Sequence, residues 1–205
     1  MNFHRFIRDG HGWKLLGEEI KYANPYLQVC STHIRTPSRP EGCSWTVVHR
    51  KGAAVVAPMT ENGEFLLVCQ ERVPVRASLW EFPAGQIDIN SEHDEQTIRE
   101  TALRELREEA GYELAPGGEL ISLDHFFSSC GFTDEHSHMV LARPVIPSLQ
   151  GQSPDEHEAI TECRAFSPDQ LCAMIAAGEI RDANTLSVFA RLCALGLVWE
   201  LTSRH

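Results

Sequence analysis

The sequence has no long hydrophobic run, no excess of basic residues and no paired-cysteine motif, and each absence excludes a class of protein. No stretch approaches the roughly 18 consecutive apolar residues of a membrane-spanning helix, and the first ten residues lack the apolar core of a signal peptide. The seven cysteines are odd in number and contain no C-x-x-C pair, which argues against a zinc ribbon or a disulfide framework. We therefore expect a soluble cytoplasmic protein with reduced thiols.

The charge balance is acidic, because 29 aspartates and glutamates outnumber 18 lysines and arginines and give a formal net charge of −11. Proteins that bind nucleic acid along its phosphate backbone need basic patches, so we expect no nucleic-acid partner. We expect no membrane partner either. An acidic chain can still bind a phosphorylated small molecule when metal ions bridge the two sets of negative charge.

Apolar periodicity and turn residues predict an α+β protein with two parts. Residues 1–50 are predicted to form an N-terminal β extension, with strands at Tyr26–His33 and Ser44–Arg50 around a Pro-rich turn. Residues 51–205 are predicted to form the main domain. It begins with a hairpin, because Asn62-Gly63 separates two continuously apolar runs that are typical of buried strands.

The remaining elements of the main domain are predicted from the same patterns. A loop is expected at 71–78, and a helix capped by Ser167 is expected to run to Gly178. The other predicted elements are strands at Ala53–Met59, Phe65–Gln70, Leu120–Phe127, His138–Pro144 and Thr161–Phe166, and a last helix at Ala183–Leu195.

The most informative stretch is the acidic run Arg104-Glu-Leu-Arg-Glu-Glu-Ala-Gly-Tyr112. Helical spacing places Glu105, Glu108 and Glu109 on one face, opposite an apolar stripe. Carboxylates this close repel one another, and a hard divalent cation such as Mg²⁺ would relieve the repulsion. The other interpretation is a solvated surface, in which Arg104 and Glu108 form an ordinary ion pair one turn apart.

The ends of this helix are marked by residue type. Ser91 and Asp94 are both candidates for the residue that caps its start. Gly111 is well placed to end it, because a glycine readily adopts the left-handed conformation that follows many helices.

Together with Gly85, the acidic run resembles the Nudix box, whose pattern is G-x5-E-x7-R-E-U-x-E-E-x-G-U with U an apolar residue. The second half matches at every defined position if Tyr112 is accepted as the last apolar residue. In the first half, nineteen positions separate Gly85 from Arg104 where the pattern has fourteen, and Gln96 stands where the pattern has its first glutamate.

Outside the box the chain is similar to ADP-ribose and ADP-sugar pyrophosphatases of the Nudix family. The subgroup's usual proline downstream of the box is absent, and Ser128-Ser129-Cys130 stands in that region. The similar segments are Lys21–Tyr26, Gln70–Arg72, Trp80–Gly85, Gly131–Glu135 and Arg181–Thr185.

The resemblance implies an α/β/α sandwich with a mixed sheet, and hydrolysis of the diphosphate linkage of a nucleotide sugar, a small-molecule partner. It implies Mg²⁺ as cofactor, with Mn²⁺ as the other candidate. It also implies a homodimer, with dimerisation and substrate contacts in the N-terminal extension. The metal ligands that it implies are Glu105, Glu108, Glu109 and the backbone carbonyl of Ala84.

The same resemblance suggests roles for six further residues, two of them tryptophans, and Glu108 is also a candidate catalytic residue. A loop glutamate is expected to act on the attacking water, with Glu156 as first choice and Glu158 as second; the other interpretation is a solvated acidic loop. Arg72 would bind a phosphate beside Glu81, or would simply pair with Glu81 or Glu71.

Two tryptophans are candidates for stacking on the adenine. Trp45 resembles such a position more closely than Trp13 does, and either side chain could instead pack in the core or an interface. Two other functions stay open. The insertion and Gln96 would suit a Nudix-fold ligand sensor that has lost catalysis, and the enzyme could act on another nucleotide sugar or a dinucleotide.

Overall fold

A computed structural model describes residues 6–87, 94–154 and 158–199. Its N-terminal part is a three-stranded antiparallel sheet of β1 (Lys14–Ala23), β2 (Leu27–Thr36) and β3 (Arg39–Arg50), in that order. The predicted two-strand extension was therefore incomplete. Strand β1 has no clear apolar alternation, since only Leu15 and Glu18 are even partly buried.

The main domain is built on a seven-stranded mixed sheet with the order β10-β5-β4-β9-β8, in which β6 pairs with β5 and β7 pairs with β4. The pairing of β4 with β9 is parallel, and the other pairings are antiparallel. The strands are β4 (Ala53–Thr60), β5 (Phe65–Arg72), β6 (Ala77–Glu81), β7 (Ala84–Gln86), β8 (Tyr112–Phe127), β9 (His136–Pro147) and β10 (Ile160–Phe166).

In the described part of the chain, this sheet is covered by the α-helices α1 (Glu95–Glu105), α2 (Pro168–Ala176) and α3 (Ala183–Ala194). Helix α1 continues into a π-helical turn at Leu106–Ala110. No helix within the described ranges is long and apolar enough to cross a membrane.

Successive residues of β4 point to opposite faces, and each face carries its own core. Ala54 and Val56 pack with Ala102 and Leu106 of the acidic helix. The other core joins alternate residues of β4 to α2 and α3, through Val55, Ala57, Leu171, Val188 and Leu192. The sheet thus lies between two helical layers, which confirms the predicted α+β class and the α/β/α sandwich.

Several predicted boundaries are confirmed. Asp94 caps α1 by accepting a hydrogen bond from the Thr97 N–H at 2.8 Å, whereas Ser91 lies outside the described residues. Ser167 and Gln170 form a reciprocal capping box at the start of α2. The predicted loop at 71–78 was too long, because β5 continues to Arg72 and β6 begins at Ala77.

Candidate active site

The acidic helix and the short strand β7 hold two carboxylates between them. Glu109 is 1% exposed, and its Oε2 accepts a hydrogen bond from the Ala84 N–H at 2.8 Å. Glu105 is 3% exposed and lies against Gly85. A Cβ atom at residue 85 would lie 1.7 Å from Glu105 Oε1, so any side chain at this position would displace the Glu105 carboxylate.

A third carboxylate reaches this pair from the segment before β10. One oxygen each of Glu105, Glu109 and Glu158 lie within 4.8 Å of one another. Burial raises the pKa of Glu109 to about 8, opposed by the Ala84 N–H and reinforced by the negative charges of Glu105 and Glu158. The three side chains form an oxygen-only group whose mutual repulsion a bound cation would relieve.

The sequence predicted a helix with one apolar face and one acidic face. In the structure, two residues of the acidic face, Glu105 and Glu109, are buried. Glu108 differs as well, because its carboxylate turns to Arg104 Nη1 and Arg107 Nη2, each at 3.0 Å. A π-helical turn has more residues than an α-helical turn, so it aligns residues four apart and rotates residues three apart away from each other. The structure does not bring Glu108 to the other carboxylates, and its ligand and catalytic roles stay predictions.

Arg104 contacts Glu105 as well as Glu108, since its Nη2 lies 2.6 Å from Glu105 Oε1. The end of the π-helical turn is held by the chain that leads toward Glu158. The Gln152 side chain donates to the Glu109 carbonyl at 2.6 Å, and the Ser153 N–H donates to the Glu108 carbonyl at 3.0 Å. Gly111 ends the helical segment with a left-handed conformation, as predicted.

Arg72 and Glu81 form a bidentate ion pair at the edge of β5 and β6. Arg72 Nε lies 3.0 Å from both carboxylate oxygens, and Nη2 lies 2.5 Å from Oε2. Burial raises the pKa of Glu81, which is 2% exposed, and the Arg72 guanidinium opposes that increase. Pairing with Glu81 was one of the two interpretations of Arg72; its contact with a phosphate stays a prediction.

Arg72 also lines a cleft of about 460 Å³ that opens beside Ala84 and Gly85. Arg50 and Lys51 add two more cations to its wall. The Arg50 Nη1 atom binds Glu135 at 2.9 Å, while its buried Nε has no hydrogen-bond partner among the described residues. The lining also holds the carboxylates of Glu81, Glu135 and Asp182, so its three cations face three acidic groups. Ala84 and Gly85 connect the cleft to the carboxylate group, because they contact Glu109 and Glu105.

Trp13 and Trp45 do not line the cleft of their own chain. Both are about half exposed and line a second cavity of about 510 Å³ between the N-terminal sheet and the 127–134 segment. The Trp45 Nε1–H donates to the Gly131 carbonyl at 2.9 Å. The structure does not bring either tryptophan to the carboxylate group, so their contact with a base stays a prediction.

Glu156, the first choice for a catalytic base, lies outside the described residues. Several residues of the cleft were missed as candidates, although two of the segments singled out by resemblance contain some of them. Arg50 and Lys51 carried no signal beyond their position at the end of a strand. The missed residues are Arg50, Lys51, Glu135, Ser137, Asp182 and Asn184.

Comparison with known proteins agrees with this geometry. A NUDIX domain model matches residues 48–189. An ADP-ribose pyrophosphatase of Bacillus subtilis (strain 168) is 32% identical over 139 residues, covering 68% of this chain and 70% of that protein. The methanol dehydrogenase activator of Bacillus methanolicus is also 32% identical, over 140 residues, covering 68% of this chain and 71% of that protein.

A solved structure is similar along nearly the whole chain. The crystal structure of an ADP compounds hydrolase superposes with a TM-score of 0.69 at 16% identity, covering 95% of this chain and 100% of that one, and therefore supports the fold. The family model spans the box, the cleft, one core and most of the other, which continues to Leu192 and Val198. The protein belongs to the Nudix family, as the box at Gly85–Tyr112 predicted.

Proposed function

We propose that this Nudix enzyme hydrolyses the diphosphate linkage of ADP-ribose or a related ADP-sugar, giving AMP and a sugar phosphate. The observation that carries the proposal is the group of Glu105, Glu109 and Glu158 beside a cleft lined by three cationic side chains. The similarity to the ADP-ribose pyrophosphatase of Bacillus subtilis supports an ADP-linked substrate.

The carboxylate group suits a hard divalent cation, for which we propose Mg²⁺, with Mn²⁺ as the alternative. Its donors are all oxygen atoms, and a bound cation would favour the ionised form of Glu109, whose pKa burial and the charges of Glu105 and Glu158 raise. Glu105, Glu109 and Glu158 would hold the cation, with the Ala84 carbonyl and Glu108 as further proposed ligands. When bound, such a cation neutralises diphosphate charge and lowers the pKa of bound water.

Side chains of the protein would bind the diphosphate and accept the proton of the attacking water. Arg50, Lys51 and Arg72 would bind the diphosphate oxygens, and Glu81 fixes the plane of the Arg72 guanidinium through its bidentate contact. Holding the linkage and the water in reacting positions supplies much of the catalysis in phosphoryl transfer. Glu158, or Glu156, would accept the proton of the attacking water.

The test is AMP release from ADP-ribose by wild type and Glu109→Gln, each with and without Mg²⁺. We expect the wild type to need the cation and the variant to lose about 10²–10³-fold in kcat, as when one preorganised electrostatic group is removed. Glu100→Gln is the matched control, because Glu100 is an exposed residue of the same helix and bonds Gln96. Unchanged activity in Glu109→Gln would contradict the site assignment.

A panel of other nucleotide sugars and dinucleotides, assayed for free phosphomonoester, tests the substrate assignment. A higher kcat/KM for a compound without an ADP group would replace ADP-ribose as the substrate. Calorimetric binding of an intact ADP-sugar without turnover at saturating Mg²⁺ would instead identify a ligand sensor.

We also propose a homodimer that uses the N-terminal extension. Four large apolar side chains of that region are 40–59% exposed, namely Leu16, Ile20, Tyr22 and Tyr26. A partner that covered this surface would shield it from water and could bring Trp13 or Trp45 to the other subunit's cleft. Light scattering on the wild type and on Ile20→Glu would test this, and a monomeric wild type would contradict it.

A further inference from the structure

A second group of potential ligands lies in the N-terminal sheet, on three adjacent strands. Glu18 on β1, Cys30 on β2 and His49 on β3 each bring one ligand atom within 4.8 Å of the others. Cys30 is completely buried and His49 nearly so, while the Glu18 side chain is 16% exposed. The group therefore offers sulfur, nitrogen and oxygen donors in a largely dry environment.

The two nitrogens of His49 have different surroundings. Its Nδ1 lies 2.6 Å from Asp134 Oδ2, and its Nε2 lies 3.2 Å from Glu18 Oε1. An ionised carboxylate can only accept, so the contact with Asp134 places a proton on Nδ1. The neutral ring then presents a lone pair on Nε2 to the Glu18 carboxylate. Two acceptors at this distance require either a second proton or a metal cation between them.

We propose that Glu18, Cys30 and His49 bind a divalent transition metal ion, with Zn²⁺ the ion that this donor set fits best. Zinc binds thiolate at about 2.3 Å and imidazole or carboxylate at about 2.0–2.2 Å, so neighbouring tetrahedral ligands lie about 3.3–3.6 Å apart. The Nε2–Oε1 distance of 3.2 Å is close to that spacing. Mixed sulfur and nitrogen donors favour this ion over Mg²⁺.

Residues around the group would orient the ligands. Asp134 and His49 form the carboxylate–histidine pair that commonly supports a zinc-bound imidazole, and Thr32 Oγ1 lies 3.3 Å from Glu18 Oε1. The Cys30 thiol would release its proton to solvent when it binds the metal. Glu18, Thr32 and His49 also line the 510 Å³ cavity, from which water could supply a fourth ligand.

Such a metal would brace the junction between the N-terminal sheet and the cleft. The Asp134 carboxylate that contacts His49 also accepts a hydrogen bond from the Arg50 N–H at 3.2 Å. Arg50 in turn pairs with Glu135, and both side chains line the cleft. The inference is independent of the proposed hydrolysis, because it concerns folding of the extension and uses none of the proposed magnesium ligands.

The test is titration of metal-free, full-length protein with Co²⁺, followed by displacement with Zn²⁺. A thiolate ligand gives cobalt a near-ultraviolet charge-transfer band, which oxygen ligands do not give. We expect wild type and Glu109→Gln to show this band at one metal ion per chain. Cys30→Ser should lose it, whereas Cys172→Ser, which removes an exposed cysteine on α2, should keep it.

A second variant tests the surrounding contact. Asp134→Asn keeps all three ligands but changes the partner of Nδ1, and we expect metal affinity to fall by about 10–100-fold. Absence of the band in the wild type would overturn the proposal and leave His49 as an imidazolium between Glu18 and Asp134. Retention of the band in Cys30→Ser would overturn it too. Misfolding of Cys30→Ser would not obscure the decision, because Asp134→Asn keeps all three ligands and tests the same group through its metal affinity; an unchanged affinity in Asp134→Asn would contradict the proposal.

Discussion

The two groups of potential metal ligands differ in their donor atoms and in the secondary-structure elements that supply them. The group in the main domain is made of three glutamates, two of them on one helical segment, whereas the group in the N-terminal sheet combines Glu18, Cys30 and His49 from three strands. Oxygen donors suit a hard, exchangeable cation, and a thiolate with an imidazole suits a softer, retained one. The two proposed sites should therefore respond to different metals.

The largest expected effect that separates the two groups comes from Gly85→Ala. The added methyl group would overlap the Glu105 carboxylate, so we expect kcat for ADP-ribose hydrolysis to fall by about 10²–10³-fold. Metal binding at the N-terminal group should be unaffected in the cobalt titration.

The matched control is Gly17→Ala, because no atom lies within 4 Å of the added methyl group there. Equal activity of Gly85→Ala and the control would show that Glu105 need not occupy its observed position.

The next effect is the pH dependence of stability in metal-free protein. The pKa of Glu109 is raised from 4.5 to about 8, so folding binds a proton that the unfolded chain has released between these values. This contribution to stability is present below pH 4.5 and is lost as pH rises toward 8, on the order of a few kcal/mol.

Thermal unfolding in a chelator between pH 5 and 8 measures this loss, and added Mg²⁺ should reverse much of it. Glu109→Gln should flatten the profile because its amide does not titrate. An equal fall of the melting temperature in Glu109→Gln would contradict the assignment of the effect to Glu109.

The third effect separates the two interpretations of Arg72. Arg72→Ala leaves the buried Glu81 carboxylate without its bidentate partner, and we expect a loss of about 1–3 kcal/mol in the free energy of unfolding. Arg72→Ala with Glu81→Gln should recover part of that stability without recovering kcat/KM. Denaturant unfolding and steady-state kinetics on both variants provide the measurements; restored activity in the double variant would exclude phosphate binding by Arg72.

The smallest effect is expected for Asp94→Ala, which removes the cap of α1 far from either ligand group. Loss of the hydrogen bond to the Thr97 N–H should lower the melting temperature by about 2–4 °C. Both metal titrations should remain like wild type. A large loss of Mg²⁺ binding would indicate that the start of this helix controls the position of its acidic end.

The main-domain group could be predicted because Gly85, Glu105 and Glu109 belong to one motif whose spacing the chain retains in its second half. The rotation of Glu108 could not, since side-chain periodicity does not distinguish a π-helical turn from an α-helical one. The N-terminal group depends on the register of three strands, and β1 was missed because it buries too little to show alternation.

The cleft also contains residues that could be predicted from the sequence and residues that could not. Arg72 was recognisable beside Glu81 on a hairpin with clear apolar patterning, but Arg50 reaches the cleft only because β3 is bonded to the distant segment around Thr133. Hydrogen bonds between residues 85 positions apart leave no local trace in the sequence.

The hydrogen bonds that Gln152 and Ser153 make to the end of the π-helical turn also affect the effective concentration of Glu158 at the other two carboxylates. They fix one end of the segment that leads to Glu158, and the Glu71 N–H fixes the other end by donating to the Ala159 carbonyl at 3.0 Å. With its chain anchored at Ser153 and at Ala159, the Glu158 carboxylate has a high effective concentration at Glu105 and Glu109. Inserting glycines between Ser153 and Glu158 would lower this effective concentration without changing any of the proposed ligand residues.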